Sequence, residues 1–235
     1  MTEKVAAARQ RLTRQRVLQA ALSYVDAHGL DALSMHKLGV DLGVKGMSLY
    51  SHVASKDALL DGIIEAMWEE VRISPTTGMT WQDAVRCYAT SLRELINRHP
   101  AAAPLMSRSV VPTRALEEAD AYRQVLLRDG FTNEQAIRTL RAVAVYARGS
   151  ALTEASWGAT GEQHPTTEDD LSVLRRVTDM VPHNVPDHLL RLALDYCGNR
   201  DPDDQFEFGL ELIVCGLDRL GRSSIDRVAG AALQC

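Results

Sequence analysis

Cysteine is sparse in this chain and scattered. Cys87, Cys197, Cys215 and Cys235 form no CxxC pair. That spacing excludes a zinc ribbon and a disulfide scaffold, and in an unexported chain it fits a reducing cytosol. There is no run of eighteen apolar residues and the first residues are polar, so neither a membrane span nor a signal peptide is expected and the protein is placed in the cytoplasm. Runs of alternating β-branched residues with hairpin turns are lacking too, so the fold class expected is all-α. No nucleophile–base pair, Gly-rich phosphate loop or metal-ligand cluster is visible, and His183 and His188 lie five apart across Pro186, which is no ligand spacing. No catalytic residue, cofactor or metal is therefore expected.

What the chain does have is an uneven charge. Residues 1–60 carry eight Lys/Arg against five Asp/Glu, and the remaining 175 carry eighteen Arg against twenty-six Asp/Glu, so a head of +3 precedes a body of -8. A basic head on an acidic body fits a polyanion binder whose body is held off the polyanion.

The densest information lies in Ser34 to Lys56, SMHKLGVDLGVKGMSLYSHVASK. Ser34 is placed to cap a helix through its hydroxyl. Leu38 and Leu42, four apart, share one face, and Gly43 ends the helix because it can turn left-handed without a Cβ clash. Val44 fills the corner, and Leu49 anchors a second helix with Val53 just beyond it. Gly39 permits the two helices to approach closely, at about 1 kcal/mol of helix propensity. Lys45, Gly46, Met47, Ser48, Tyr50, Ser51 and His52 cannot all pack inward, so something outside the fold should meet them. This is the layout of a helix-turn-helix, whose second helix enters a DNA major groove.

Around this corner the sequence predicts a helix from Thr13 to His28, with Leu18, Ala21, Leu22 and Val25 buried and Gly29 as its stop. A fourth helix is expected from about Lys56 to Val71. The boundary between an N-terminal three-helix domain, 1–55, and a larger helical ligand-binding and dimerisation domain, 56–235, is placed near Ala54–Lys56, with the fourth helix as connector. Thr80 with Asp83 marks a helix running to about Arg98, which His99-Pro100 ends. Pro112 opens a segment ending near Asp129-Gly130. Thr132 with Gln135 is a capping box for a helix reaching Trp157. A last helix follows Asp201 and ends at Leu220-Gly221. Phe206, Leu210, Ile213, Leu217 and Leu220 recur on it at spacings of 4, 3, 4 and 3, with Gly209 and Gly216 alongside. That seam suits a two-fold dimer interface; the alternative is intramolecular core.

The N-terminal stretch resembles the TetR family of bacterial transcriptional regulators. The motifs that carry the resemblance are VLQAAL at 17–22, HGLDALSMHKLGVDLGV at 28–44 and MSLYSHVASKDALLD at 47–61. In the body, HP at 99–100, DGFT at 129–132 and DQFEFGLELIVCGL at 204–217 look like the C-terminal region of the TetR subgroup. The resemblance implies a homodimeric, all-helical repressor that binds double-stranded, palindromic operator DNA and is released by a small-molecule effector. It implies phosphate contacts from Tyr50, His52 and Lys56. It places Lys45, Gly46, Met47 and Ser48 at the base-facing start of the recognition helix, with Met35 and His36, after the Ser34 cap, able to touch the groove. Gly39 stands where the family usually has Ala, and Ser51 where an aromatic is often found. Because Gly46 and Met47 offer no donor side chain, direct readout would rest on Lys45, His36 and Ser48, with Met47 packing against a thymine methyl. Arg9, Arg11, Arg14 and Arg16 form a basic arm that could track phosphates.

The effector is less legible. Trp68, Tyr88, Tyr122, Tyr146 and Trp157, with Arg72, His99, Arg108 and Thr153 as polar fixings, could line an apolar cavity; for each, core packing is the competing reading. Arg72 and Thr153 align where the tetracycline-binding members carry a ligand-contacting His and an acid near the metal, so a drug–magnesium site is not expected. Two further functions compete with the repressor: an all-helical enzyme that carries a basic N-terminal bundle, and a transcriptional activator of the same fold.

Overall fold

Caps written into the sequence start most of the helices. The computed structural model describes residues 11–71, 75, 77–158, 185–197 and 201–231, with side chains described outside 156–158, 194–197 and 220–231. Among these residues there is no strand. The Thr13 hydroxyl accepts the Arg16 N–H at 3.2 Å and opens α1, Arg14–His28, which Gly29 ends at φ 82°. After a 3-10 turn at Leu30–Ala32 come α2, Met35–Asp41, and α3, Gly46–Leu49. Ser55 then caps α4, Lys56–Trp68, by accepting the Ala58 N–H at 3.0 Å.

The chain forms two compact units. One comprises Met1–Ser74 with Leu95–Asp120, the other Pro75–Glu94 with Ala121–Cys235. In the first, α1 packs on α4, and both meet a 3-10 stretch at Pro100–Ser107 that the sequence did not announce. Leu22, Leu38, Leu49, Leu59, Ile63 and Met67 are fully buried there, and α4 falls with the N-terminal helices by its packing. Gly62 leaves the space that the Leu18 side chain fills.

The second unit takes most of α5, Trp81–Arg98, and the end of α6, Thr113–Arg128. It also holds α7, Asn133–Gly158; α8, Asp187–Cys197; and α9, Pro202–Ala231. Both expected boxes form. The Thr80 hydroxyl donates to Asp83 at 2.6 Å while the Asp83 N–H donates back at 3.2 Å. The Thr132 N–H donates to Gln135 at 2.9 Å and the Gln135 N–H to the Thr132 hydroxyl at 3.2 Å. Trp81 packs against Phe131 with ring centroids 5.3 Å apart, and the Trp81 backbone N–H donates to Asp129 at 2.8 Å.

Two helix assignments change. The sequence left Asp187–Cys197 without an element, yet it is helical, and α9 continues past Gly221 to Ala231. A single helical glycine costs only about 1 kcal/mol, which good neighbouring helix formers absorb.

Two residues of the seam assigned to a dimer interface, Phe206 and Leu210, are corrected. Phe206 and Leu210 are each only 1% exposed, buried by their own chain. Phe206 stacks on Tyr146 of α7 at 5.5 Å, and the Tyr146 hydroxyl donates to the Phe206 carbonyl at 2.8 Å. Gly209, expected to admit a partner helix, instead gives room to that same Tyr146 ring. Ile213 and Leu217 are half-buried at the edge of this face, and the Leu220 side chain lies outside the described residues. A 4-3 repeat specifies that a helix face is covered, and here α7 covers it. Among the described side chains of α9, the large apolar ones that remain open are Phe208 and Leu212, each 61% exposed, followed one turn later by exposed Cys215.

Candidate nucleic-acid interface

A four-residue helix has too few internal hydrogen bonds to hold itself, so α3 depends on its anchorage. The Ser34 hydroxyl accepts the Lys37 N–H at 3.2 Å and starts α2. Gly43 turns at φ 67°, its N–H donating to the Val40 carbonyl at 3.1 Å, and the Val44 N–H returns to the Gly39 carbonyl at 2.8 Å. Leu49 and Val53, both buried, pin the far side of α3 to the core.

The closest approach is backbone on backbone. A Cβ on Gly39 would stand 2.8 Å from the Gly46 nitrogen, and one on Gly46 would stand 3.1 Å from the Met35 carbonyl oxygen. These two glycines therefore set how near α3 lies to α2. Gly39→Val should force the helices apart and lower stability by about 1–3 kcal/mol, the usual cost of overpacking, despite better intrinsic propensity at a helical position. A denaturant melt of this variant that matches the parent would sink the close-approach argument.

Several residues expected at the interface are exposed: His36, Lys45, Met47, Ser48, Tyr50, Ser51 and Lys56, with His52 half-buried. The Ser51 hydroxyl donates to the Ser48 carbonyl at 2.7 Å. Two assignments are corrected. Met35 is only 9% exposed and packs into the core, because it heads the buried stripe of α2 with Leu38 and Gly39. Gly46 is half-buried, and the side on which a Cβ would stand is turned against α2 rather than outward. Lys37, passed over in the sequence, is exposed beside His36 in the first turn of α2. Its charge, next to a residue already singled out, was the signal available. Arg14, assigned to a basic arm, is engaged with Glu65 of α4 at 2.6 Å, and Arg9 lies outside the described residues.

The residues considered for an effector fall in both units and are bonded within each. Trp68 is buried in the first unit. There too, buried His99 places Nδ1 2.9 Å from Asp26 of α1 and Nε2 3.0 Å from Glu70, just after α4. Arg108 pairs with Asp61 at 2.7 Å. In the second unit the buried rings of Tyr88 and Tyr122 meet at 5.3 Å, and the Thr153 hydroxyl donates to the Gly149 carbonyl at 2.8 Å. Arg72 and the Trp157 side chain lie outside the described residues. Among the described residues no group of His, Cys, Asp or Glu could hold a metal ion, and no helix is long and apolar enough to cross a membrane.

The chain is similar to known proteins along most of its length. The family model for the tetracyclin repressor-like C-terminal domain matches residues 74–220. The chain is 30% identical over 204 residues to the class A tetracycline repressor of transposon 1721 from Escherichia coli, covering 86% of this chain and 88% of that one. A possible TetR family transcriptional regulator from Streptomyces coelicolor superposes with a TM-score of 0.73 at 28% identity, covering 88% of this chain and 100% of the other. A variant of TetR from Acinetobacter baumannii in complex with minocycline gives a TM-score of 0.66 at 26% identity, over 89% of this chain and 98% of that one.

Proposed function

The chain belongs to the TetR family of transcriptional regulators, and from that membership we propose that it is a homodimeric repressor: it binds a palindromic operator in duplex DNA and is released by a small-molecule effector. It works in the cytoplasm by binding rather than by turnover. The observation that carries this reading is the exposed face of the α2–α3 corner, where His36, Lys37, Lys45, Tyr50 and Lys56 surround a recognition helix held to the core by Leu49. Cationic and hydroxyl side chains on such a rim are suited to phosphates, which supply most non-specific affinity.

In the division of labour we assign, residues 1–55 read DNA, α4 connects, and the rest of 56–235 holds the effector and the dimer contact. Tyr50, His52 and Lys56 grip the DNA backbone, while His36, Lys45, Met47 and Ser48 face the bases. Tyr88 and Tyr122 are the aromatic pair we assign to the effector. Dimerisation falls to the open face of α9 with Phe208 and Leu212.

Footprinting on promoter fragments tests the reading. Protection should be two-fold symmetric, with half-site centres roughly 34–36 Å apart on one DNA face. Lys56→Ala should weaken binding to all sequences alike and reduce the salt slope by about 1 per protomer. Asymmetric protection, or a Lys56→Ala effect confined to one sequence, would count against it.

A further inference from the structure

We propose that Met47 is the principal base-reading side chain of the recognition helix and that it reads the 5-methyl group of thymine, one in each half-site. The inference rests on the regulator reading above and names what that reader prefers.

Gly46 has no side chain, and the space a Cβ would need lies against the Met35 carbonyl and the His36 Cα, so residue 46 is committed to the α2 contact. Lys45 precedes the helix and is exposed, and its flexible ammonium can meet a phosphate as readily as a base edge, so it discriminates weakly. Ser48 offers a hydroxyl that both donates and accepts, so it discriminates weakly among base edges. Met47 remains. At 78% exposed it is the most open large apolar side chain among the described residues; the other large side chain of α3, Leu49, is buried, and Tyr50, which follows the helix, carries a hydroxyl.

Met47 belongs to a short segment that also exposes Lys37, Lys45 and Lys56, and charge complementarity favours DNA as its partner. The chemistry of the major groove then selects the position. Every base pair presents donors and acceptors there, and the one apolar group is the thymine methyl. A thioether is at best a weak acceptor, so placing it over G, C or A edges would desolvate polar groups without replacing their hydrogen bonds. Against a methyl it loses nothing, and its three rotatable bonds let it conform to the contact. A close α2–α3 approach sets the depth at which this side chain is presented.

The experiment uses the full-length protein and a library of randomised palindromic duplexes, selected at fixed salt, followed by replacement of selected thymines with uracil. Uracil keeps base pairing and removes only the methyl. Selection should enrich a thymine at one position in each half-site. Uracil at that position should weaken binding about fourfold per half-site, and about fifteenfold for both, the effect of one buried methyl at each. Met47→Ala should abolish the difference between thymine and uracil, and Met47→Gln should move the selected base toward adenine, the partner suited to an amide. Both variants should melt with the parent, since the side chain is exposed. An enriched site that tolerates uracil, or Met47→Ala retaining the discrimination, overturns the inference alone. A library from which no sequence is enriched overturns the regulator reading and this inference with it.

Discussion

Leu212→Arg should convert the protein to a monomer in sedimentation equilibrium and lower its affinity for a palindromic duplex by about 10²–10⁴, the usual loss when two linked binding events become one. On α9, Phe208, Leu212 and Cys215 lie four and three residues apart, so they share a face. That face is open while Phe206, Leu210 and Val214 on the other side are buried. Two large apolar side chains each 61% exposed on one helix stripe, in a protein that must place two readers on one operator, make the stripe the natural contact between copies. Because Leu212 contributes little to the core of its own chain, the variant should keep its helical circular dichroism. Leu210→Arg provides the contrast: it buries a charge within the protomer and should unfold it. A Leu212→Arg protein that sediments as a dimer would refute this surface.

Arg93→Ala should reduce stability by about 2–4 kcal/mol, through loss of a largely buried ion pair. For a chain of this size that lowers the melting temperature by about 2–4 °C for each kcal/mol lost. Arg93 of α5 pairs through Nε with Glu154 of α7 at 3.0 Å and through Nη1 with Asp203 of α9 at 2.7 Å, while its guanidinium lies 4.7 Å from the centre of the Phe206 ring. Burial opposes the charge of Arg93, but hydrogen bonds to Glu154 and Asp203 outweigh it and hold its pKa above the ordinary arginine value. Truncation leaves the Glu154 carboxylate in a largely buried place with the Ser150 hydroxyl, 2.9 Å away, as a remaining donor. Most of the loss is the cost of that stranded charge, so Arg93→Met combined with Glu154→Gln should recover much of it. Thermal melts of the two variants check this, and equal losses in both would remove the stranded-charge explanation.

The first unit contains a comparable arrangement. His99 stands between Asp26 and Glu70, and Arg98 reaches the same Glu70 at 3.2 Å. One carboxylate belongs to α1 and the other follows α4, so the chain segment after α5 is tied to both helices that support the reader. A histidine before proline reads from sequence as a helix stop, which it is. Its two acidic partners lie 73 and 29 residues away, and no local pattern announces them.

The sequence by itself determined what depends on near neighbours. Thr13, Ser34, Ser55, Thr80 and Thr132 cap where their hydroxyls reach a free N–H three residues on, and Gly29 and Gly43 turn where a Cβ would strain the chain. The helix-turn-helix was legible for the same reason, since its corner is made by residues within one short stretch. A periodic stripe, however, states only that a face is covered and leaves its partner unnamed. Tertiary structure decided that α7 covers Phe206 and Leu210, which leaves Phe208 and Leu212 open. It also decided that Met35 turns inward and that Gly46 is spent against α2, so the outward tip of the reader narrows to Met47 and its polar neighbours. Those outcomes follow from contacts between separate elements, where packing volume rather than local propensity selects the arrangement.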